Sequence, residues 1–163
     1  MPRFRNNLPY NWVDKVLFTK GRSMQITEQL DEALDSKTGQ RHVLVQAYDM
    51  QTRRPLIIKI QYYLYPRALF AFKDPESLRA AQIDNTHFLH RTDAHRILSA
   101  FNLGPRYIDH FIQQQLPGMP LPGWPISFII MGDVPGVNLA NIRSQLSDDE
   151  LDSVKKQIAR ILG

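Results

Sequence analysis

The chain has 163 residues, of which 43% are hydrophobic and 22% are charged, a balance typical of a soluble globular protein with one core. Basic residues exceed acidic ones by 20 − 16 = +4, so the surface can attract anions without being a polycation. The absence of cysteine excludes disulfides, thiolate zinc sites and thiol catalysis. Neither a secretory signal nor the roughly 20 apolar residues of a membrane span is found, so we expect a cytoplasmic protein with no membrane partner.

The first 34 residues contain two weak patterns. Residues 1–23 could form a basic arm or a short helix, with the helix over residues 11–18 and Trp12 and Val16 facing a core. Over residues 24–34 the spacing of the apolar side chains changes from two to four. That change predicts a strand that runs into a less regular segment.

The middle of the chain predicts a hairpin and a helix. Residues 42–48 and 56–63 are rich in β-branched and aromatic side chains, and a polar segment ending in proline separates them, so we expect an antiparallel pair. Residues 88–101 follow a helical spacing, and the helix should end where Gly104 supplies a left-handed cap before a proline. Its core-facing side chains would be Phe88, Ala94, Leu98 and Phe101.

The last third predicts two strands and two helices. Residues 106–112 and 126–131 read as strands, and residues 138–146 as a short helix. Ser147 and Glu150 form a capping box that begins the final helix. The apolar stripe of that helix could bind a protein partner or a second copy of the chain, and it consists of Leu151, Val154, Ile158 and Ile161.

Together these elements predict an α+β fold, in which a twisted antiparallel sheet carries one long packed helix and is followed by two C-terminal helices. Lys59 lies inside the apolar strand formed by residues 56–60. Two readings of this lysine stay open, because it could be a surface side chain on a one-sided sheet or a partly buried ammonium that needs an anionic partner.

The order of strand, lysine-bearing strand, helix, strand, buried strand and Pro-Gly resembles the small lobe of a protein kinase. Residues 56–60 look like the Val-Ala-Ile-Lys motif of its third strand. Phe88, Arg91, Ala94, His95 and Leu98 resemble helix C of fungal kinase-like and aminoglycoside-phosphotransferase-like proteins. Residues 103–107 resemble the following turn, residues 128–139 the fifth strand and hinge, and residues 146–162 the start of the large lobe. The resemblance covers residues 24–162.

The resemblance implies three regions: a basic arm or short helix over residues 1–23, a small lobe and hinge over 24–136, and large-lobe helices over 137–163. It also implies where a nucleotide would bind. The lysine of this motif holds the α- and β-phosphates of ATP. By resemblance, the cofactor-binding positions are Lys59, Asp93, Met131 and Asp133.

The departures from the family pattern are as informative as the matches. Residues 31–40, which would cover the phosphates, contain only Gly39 where the family has three glycines. The acid that should pair with Lys59 falls at Arg91, so that two cations would meet, and Asp93 would serve only if the register moved by two residues. The catalytic Asp-Asn loop and the magnesium-binding Asp-Phe-Gly motif are not found, and residues 90–93 mimic the former only superficially.

We therefore expect a truncated or degenerate kinase-like domain that is not catalytic alone, uses no cofactor and acts as an interaction module. One alternative is an ATP-binding phosphotransferase, with magnesium, whose C-terminal lobe is missing from this chain. Another is a basic adaptor for nucleic acid, suggested by Arg53 and Arg54 and by the basic amino end, although nucleic acid is the less expected partner. A metal site at His87, His90 and Asp93 is a further, weak alternative to a solvated helix surface.

Overall fold

The computed structural model describes residues 10–35, 39–64, 75–136 and 139–162. The chain divides into two compact units, one ending at Asp133 and the other beginning at Val134. The first unit is an α+β structure in which a six-stranded antiparallel sheet curves into a nearly closed, barrel-like form and carries a long helix. The predicted class, sheet type and long helix are therefore confirmed, whereas the predicted hinge residues 137 and 138 and the basic residues of positions 1–9 lie outside the described residues.

The described part of the first unit contains six strands and one helix, and every neighbouring strand pair is antiparallel. The sheet order is β1-β2-β3-β4-β6-β5, so that β6 returns to pair with β4 after the helix. The elements are β1 Val16–Thr19, β2 Arg22–Asp35, β3 Gln40–Asp49, β4 Pro55–Tyr63, α1 Pro75–Ala100, β5 Tyr107–Gln114 and β6 Pro125–Gly132.

The main core lies on the inner face of the sheet. Side chains alternate between faces along a strand, so Ile58, Ile60 and Tyr62 of β4 point inward together with Phe128 and Ile130 of β6. The indole of Trp12 closes this core, with its ring centroid 5.9 Å from that of Tyr62 and 6.1 Å from that of Phe128. Burial of these aromatic rings explains why Trp12 is ordered against the sheet.

The first predicted element is wrong, because residues 16–19 form β1 and no helix covers residues 11–18. Gly21 adopts a left-handed φ of 75°, which allows a tight turn from β1 into β2. The prediction for residues 24–34 is also corrected in part. The strand continues to Asp35, and the change in spacing comes from two register shifts, between Ile26 and Glu28 and between Gln29 and Asp31.

The predicted hairpin is confirmed, and an aspartate turn closes it. Asp49 accepts hydrogen bonds at 2.9 Å from the backbone N–H groups of both Gln51 and Thr52. These bonds, led by that from Thr52, lower the pKa of the Asp49 carboxyl. Arg53 adopts a φ of 60°, which completes the turn before β4 begins at Pro55.

The helix is confirmed, and the predicted core-facing residues are right at Phe88 and wrong at the other three. Phe88 packs in a small cluster with Ile129 and Met131 on the outer face of the sheet, the face opposite the main core. Thr92 is buried and its hydroxyl donates to the carbonyl of Phe88 at 2.9 Å. Ala94, Leu98 and Phe101, which were expected in the core, are exposed.

The end of α1 also differs from the prediction. Asn102, with a φ of 55°, provides the left-handed residue, and no positive φ is needed at Gly104. Leu103 donates its backbone N–H to the carbonyl of Leu98 at 2.9 Å, and Asn102 donates to Ser99 at 3.1 Å. This pair of bonds is a Schellman motif. Gly104 instead allows the backbone to pass close to the Leu98 side chain, because a Cβ at position 104 would lie 3.2 Å from the Cβ of Leu98.

The second unit contains a short helix α2, Leu139–Ile142, a 3₁₀ turn, Arg143–Gln145, and a final helix α3, Asp148–Leu162. The predicted capping box is confirmed, since Glu150 accepts from the backbone N–H of Ser147 at 2.8 Å and donates its own N–H to the Ser147 hydroxyl at 3.4 Å. Along the predicted stripe, Leu151 and Val154 are half-buried and Ile158 is exposed. The side chain of Ile161 lies outside the described residues.

The inner face of β4 supplies the first testable prediction. Ile58 is fully buried, so Ile58→Asp places an unpaired carboxylate in the core. We expect a loss of several kcal/mol from a total stability of about 5–15 kcal/mol, and hence unfolding in a thermal melt followed by circular dichroism. The same change at exposed Ile112 of β5 is the control, and it should leave the melting temperature nearly unchanged. Equal melting temperatures for both variants would contradict the assigned core.

Candidate functional site

A groove of about 530 Å³ lies between α1 and the outer face of the sheet. Its walls come from β2, β3, β4, β6 and α1. Apolar side chains line part of it, and its charged and titratable side chains are Asp31, His42, Lys59, Arg91 and His95. On this described lining Lys59 and Arg91 face the single carboxylate of Asp31, so basic side chains outnumber acidic ones even without the two imidazoles.

The central contact of the groove joins β4 to α1. Lys59 points outward because it follows the inward-facing Ile58, and its Nζ lies 3.1 Å from Nε2 of His95. An ammonium can only donate hydrogen bonds, so Nε2 of His95 must act as the acceptor and carry no proton. The helix residue that meets the strand lysine is thus a neutral imidazole.

Arg91 is held beside Lys59 by neutral side chains. Its guanidinium donates to Oε1 of Gln61, the next outward-facing residue of β4. The amide of Gln61 donates in turn to Oε1 of buried Gln40 on β3. Among the described residues, no carboxylate forms an ion pair with Arg91 or Lys59. Lys59 and Arg91 are therefore positioned without an ion pair to any described carboxylate.

All three titratable bases of the groove have a pKa below the ordinary value. Desolvation lowers the pKa of Lys59, and the charge of Arg91 lowers it further, although the side chain keeps contact with solvent. Desolvation also lowers the pKa of His95, with the charge of Lys59 as the second cause. For His42 desolvation and Arg91 lower the pKa, and Asp35 opposes them. Desolvation and a neighbouring positive charge thus both lower the pKa of each of these three side chains.

Of the four cofactor-binding residues expected from the resemblance, only Lys59 lines the groove. Asp93 is exposed on α1, where its carboxylate lies 3.8 Å from Arg96, and it does not reach Lys59. Met131 is buried in the cluster under Phe88. Asp133 is exposed beyond the end of β6. The structure does not bring these four residues together.

Sequence reasoning placed Arg91 opposite Lys59 and so expected two cations to meet, which agrees with the groove. It missed His42 and His95 as groove residues, because a histidine on a polar helix face or in a strand has no distinguishing local signal. His87 and His90 are exposed, and the described residues include no group of three side chains placed to hold a metal ion. Of the segment expected to cover phosphates, residues 36–38 lie outside the described residues.

A second basic surface lies at one end of the sheet. The β1–β2 and β3–β4 turns meet there, because the backbone N–H of Met50 donates to Ser23 at 2.9 Å. This contact gathers Lys20, Arg22, Arg53 and Arg54 at the same edge. Part of the charge is already engaged, since Arg22 lies 3.5 Å from Asp49 and the Arg53 guanidinium lies 4.5 Å from the ring centroid of Tyr48.

No protein-family model, curated protein or solved structure matches the chain. Within the part of the chain that the structure describes, none of the helices is long and apolar enough to cross a membrane.

The mutual repulsion in the groove yields the second prediction. Arg91→Gln removes the charge that depresses Lys59, so the pKa of the Lys59 ammonium should rise toward its ordinary value of 10.5. The rise should be incomplete, because desolvation is the larger cause and remains. An NMR titration of isotopically labelled lysine side chains measures it. Arg96→Gln, on the same helix but outside the groove, is the control and should leave the pKa of Lys59 unchanged. If Arg91→Gln also leaves the pKa of Lys59 unchanged, Arg91 does not lie close enough to Lys59 to affect its charge.

Proposed function

We propose that this protein is a non-catalytic interaction module and a degenerate relative of the kinase-like phosphotransferases, acting in the cytoplasm. The observation that carries this proposal is the identity of the helix residue that contacts Lys59. A working kinase pairs its lysine with a helix C glutamate, and that ion pair fixes the lysine on the nucleotide phosphates. Here Lys59 meets the neutral imidazole of His95, and the nearby Arg91 repels it.

The relationship itself is supported by the order and placement of the elements. A hairpin with an outward lysine is followed by a helix across the outer face, a strand, and a buried strand that pairs with the lysine strand. Lys59 faces the helix, as the kinase resemblance implies. The curvature of the sheet and the additional strand β1 are not expected from that resemblance.

The loss of catalysis is supported by the shortage of acidic groups. Phosphoryl transfer by kinases uses magnesium ions held by carboxylate and amide oxygens, which neutralise the phosphates during transfer. Asp31 is the one carboxylate among the described residues that line the groove. A single carboxylate beside two cations is a poor magnesium site, so the electrostatic stabilisation that transfer requires is weak.

The third prediction concerns nucleotide chemistry. We expect no transfer of the ATP γ-phosphate to water or to a protein acceptor, and weak or undetectable heat on titration with Mg-ATP. Because the described lining of the groove offers few oxygen ligands to the magnesium of this complex, we expect Lys59→Met to match the parent protein in both measurements. Lys15→Met, at an exposed lysine outside the groove, is the control. Affinity near about 1 μM that disappears only in Lys59→Met would restore the phosphotransferase alternative.

The interaction role is supported by apolar side chains that remain exposed. The end of α1 presents Ile97, Phe101 and Leu103, which are 58%, 71% and 53% exposed. On α3, Ile158 is 44% exposed on the same stripe as Val154. Exposed apolar surface of this kind marks protein contacts more often than isolated exposed residues do. We propose that α3 forms a contact with a second copy of the chain.

The fourth prediction tests that contact. Sedimentation equilibrium should show a dimer whose population grows with protein concentration. The double variant Val154→Asp/Ile158→Asp should shift the protein to monomer, because it places charges on the apolar stripe. Gln157→Asp, at an exposed position of α3, should keep the dimer. A monomer at high concentration in the parent chain, or an unchanged dimer in the double variant, would rule out the contact.

Nucleic-acid binding is a weaker candidate. The basic end of the sheet gathers four cations, but Arg22 is engaged by Asp49 and Arg53 by the ring of Tyr48. Strong phosphate binding needs several free Lys and Arg side chains along one surface. The groove carries the better argument, because none of the described carboxylates forms an ion pair with its cations.

A further inference from the structure

We propose that the groove binds a small dianionic oxyanion, a phosphate group without a metal ion, between Lys59 of β4 and Arg91 and His95 of α1. This inference deepens the proposed function and rests on it only for the absence of metal-assisted transfer. The first support is the number of N–H donors that the contacts with described residues leave over. Lys59 has three N–H donors and Arg91 has five, and the contacts to His95 and Gln61 use one of each.

The second support is the way in which Arg91 is fixed. A guanidinium is normally oriented by a carboxylate, which also neutralises it. Here the oxygen of Gln61 orients Arg91, and buried Gln40 orients Gln61. This relay of amides holds the guanidinium in place without removing its charge. A site that fixes its cations before the ligand arrives loses less conformational entropy on binding.

The third support is the proton balance of the groove. The charged and titratable groups around His95 and His42 are Asp31 of β2, Lys59 of β4 and Arg91 of α1, with Asp35 acting on His42. A bound dianion would oppose the repulsion between the cations and stabilise protonated imidazoles. Binding should therefore take up protons, and the affinity should increase as the pH falls through the range in which the histidines titrate.

The groove favours a free oxyanion over a magnesium complex. Asp31 is the single carboxylate on its described lining, so the protein offers few oxygen ligands to a divalent cation. Its volume of about 530 Å³ exceeds what one phosphate needs, and Leu44, Phe88 and Ile129 provide an apolar wall. The phosphate group could thus be inorganic phosphate or the end of a larger organic molecule, and the two sources can be tested separately.

The experiment uses the full chain without added metal. Three anions are titrated by calorimetry: sulfate, inorganic phosphate and adenosine monophosphate. Sulfate is included because it stays a dianion at neutral pH. We expect sulfate and phosphate to bind, and Lys59→Met and Arg91→Gln each to weaken binding about tenfold or more, since each loses a charge-assisted hydrogen bond. The matched control Arg96→Gln, on the same helix outside the groove, should change the affinity by less than about twofold. Tighter binding of the nucleotide than of phosphate would assign an organic source, and equal binding would assign the inorganic ion.

The second arm follows pH and needs no variant. On addition of sulfate, NMR titration of the parent chain should show the pKa of His95 rising, and the sulfate affinity should increase between about pH 8 and about pH 6. His95→Gln should flatten that increase. The proposal is overturned if none of the three anions binds, if Arg96→Gln weakens binding as much as Arg91→Gln, or if the His95 pKa does not respond. ATP transfer activity would instead overturn the proposed function and leave the metal-free sulfate result standing.

Discussion

The alternation of side chains along β4 is the constraint on which the rest of the first unit depends. Ile58 and Ile60 must point into the main core, so Lys59 and Gln61 must point toward α1. A helix that covers a partly polar strand face cannot bury a wide apolar stripe. From residue 86 on, where its side chains are described, α1 packs through Phe88 and Thr92 and leaves Leu89, Ile97 and Leu98 in contact with solvent.

The local elements were predictable because their signals are local. The turn between β3 and β4 follows from an aspartate that can bond the backbone two and three residues ahead. The start of α3 follows from Ser147 and Glu150, whose spacing of three residues satisfies two backbone donors. The buried strand β6 follows from its unbroken apolar run. None of these inferences needs knowledge of a distant segment.

The errors arose where tertiary packing decides. Trp12 faces the core as expected, but it is buried by Tyr62 and Phe128, two residues far away in the chain, and the predicted helix around it does not form. The buried face of α1 depends on the polar strand beneath it, so apolar spacing alone selected Leu98 and Phe101 wrongly. The pairing of Lys59 with His95 likewise depends on the register of a helix across a sheet, which no local pattern fixes.

The groove combines features that do not serve stability. Lys59 and Arg91 repel one another. The pKa values of His42 and His95 are lowered in the folded protein, so near and below the ordinary value of 6.5 these histidines bind protons more readily in the unfolded chain than in the folded one. Each of these two histidines therefore makes the fold less stable as the pH falls below that value. A glutamate at position 91 would remove the repulsion at little structural cost, because the position is exposed at the rim of the groove. On the described lining two cations face the single carboxylate of Asp31, and this excess of positive charge is the reason for proposing an anion as the ligand.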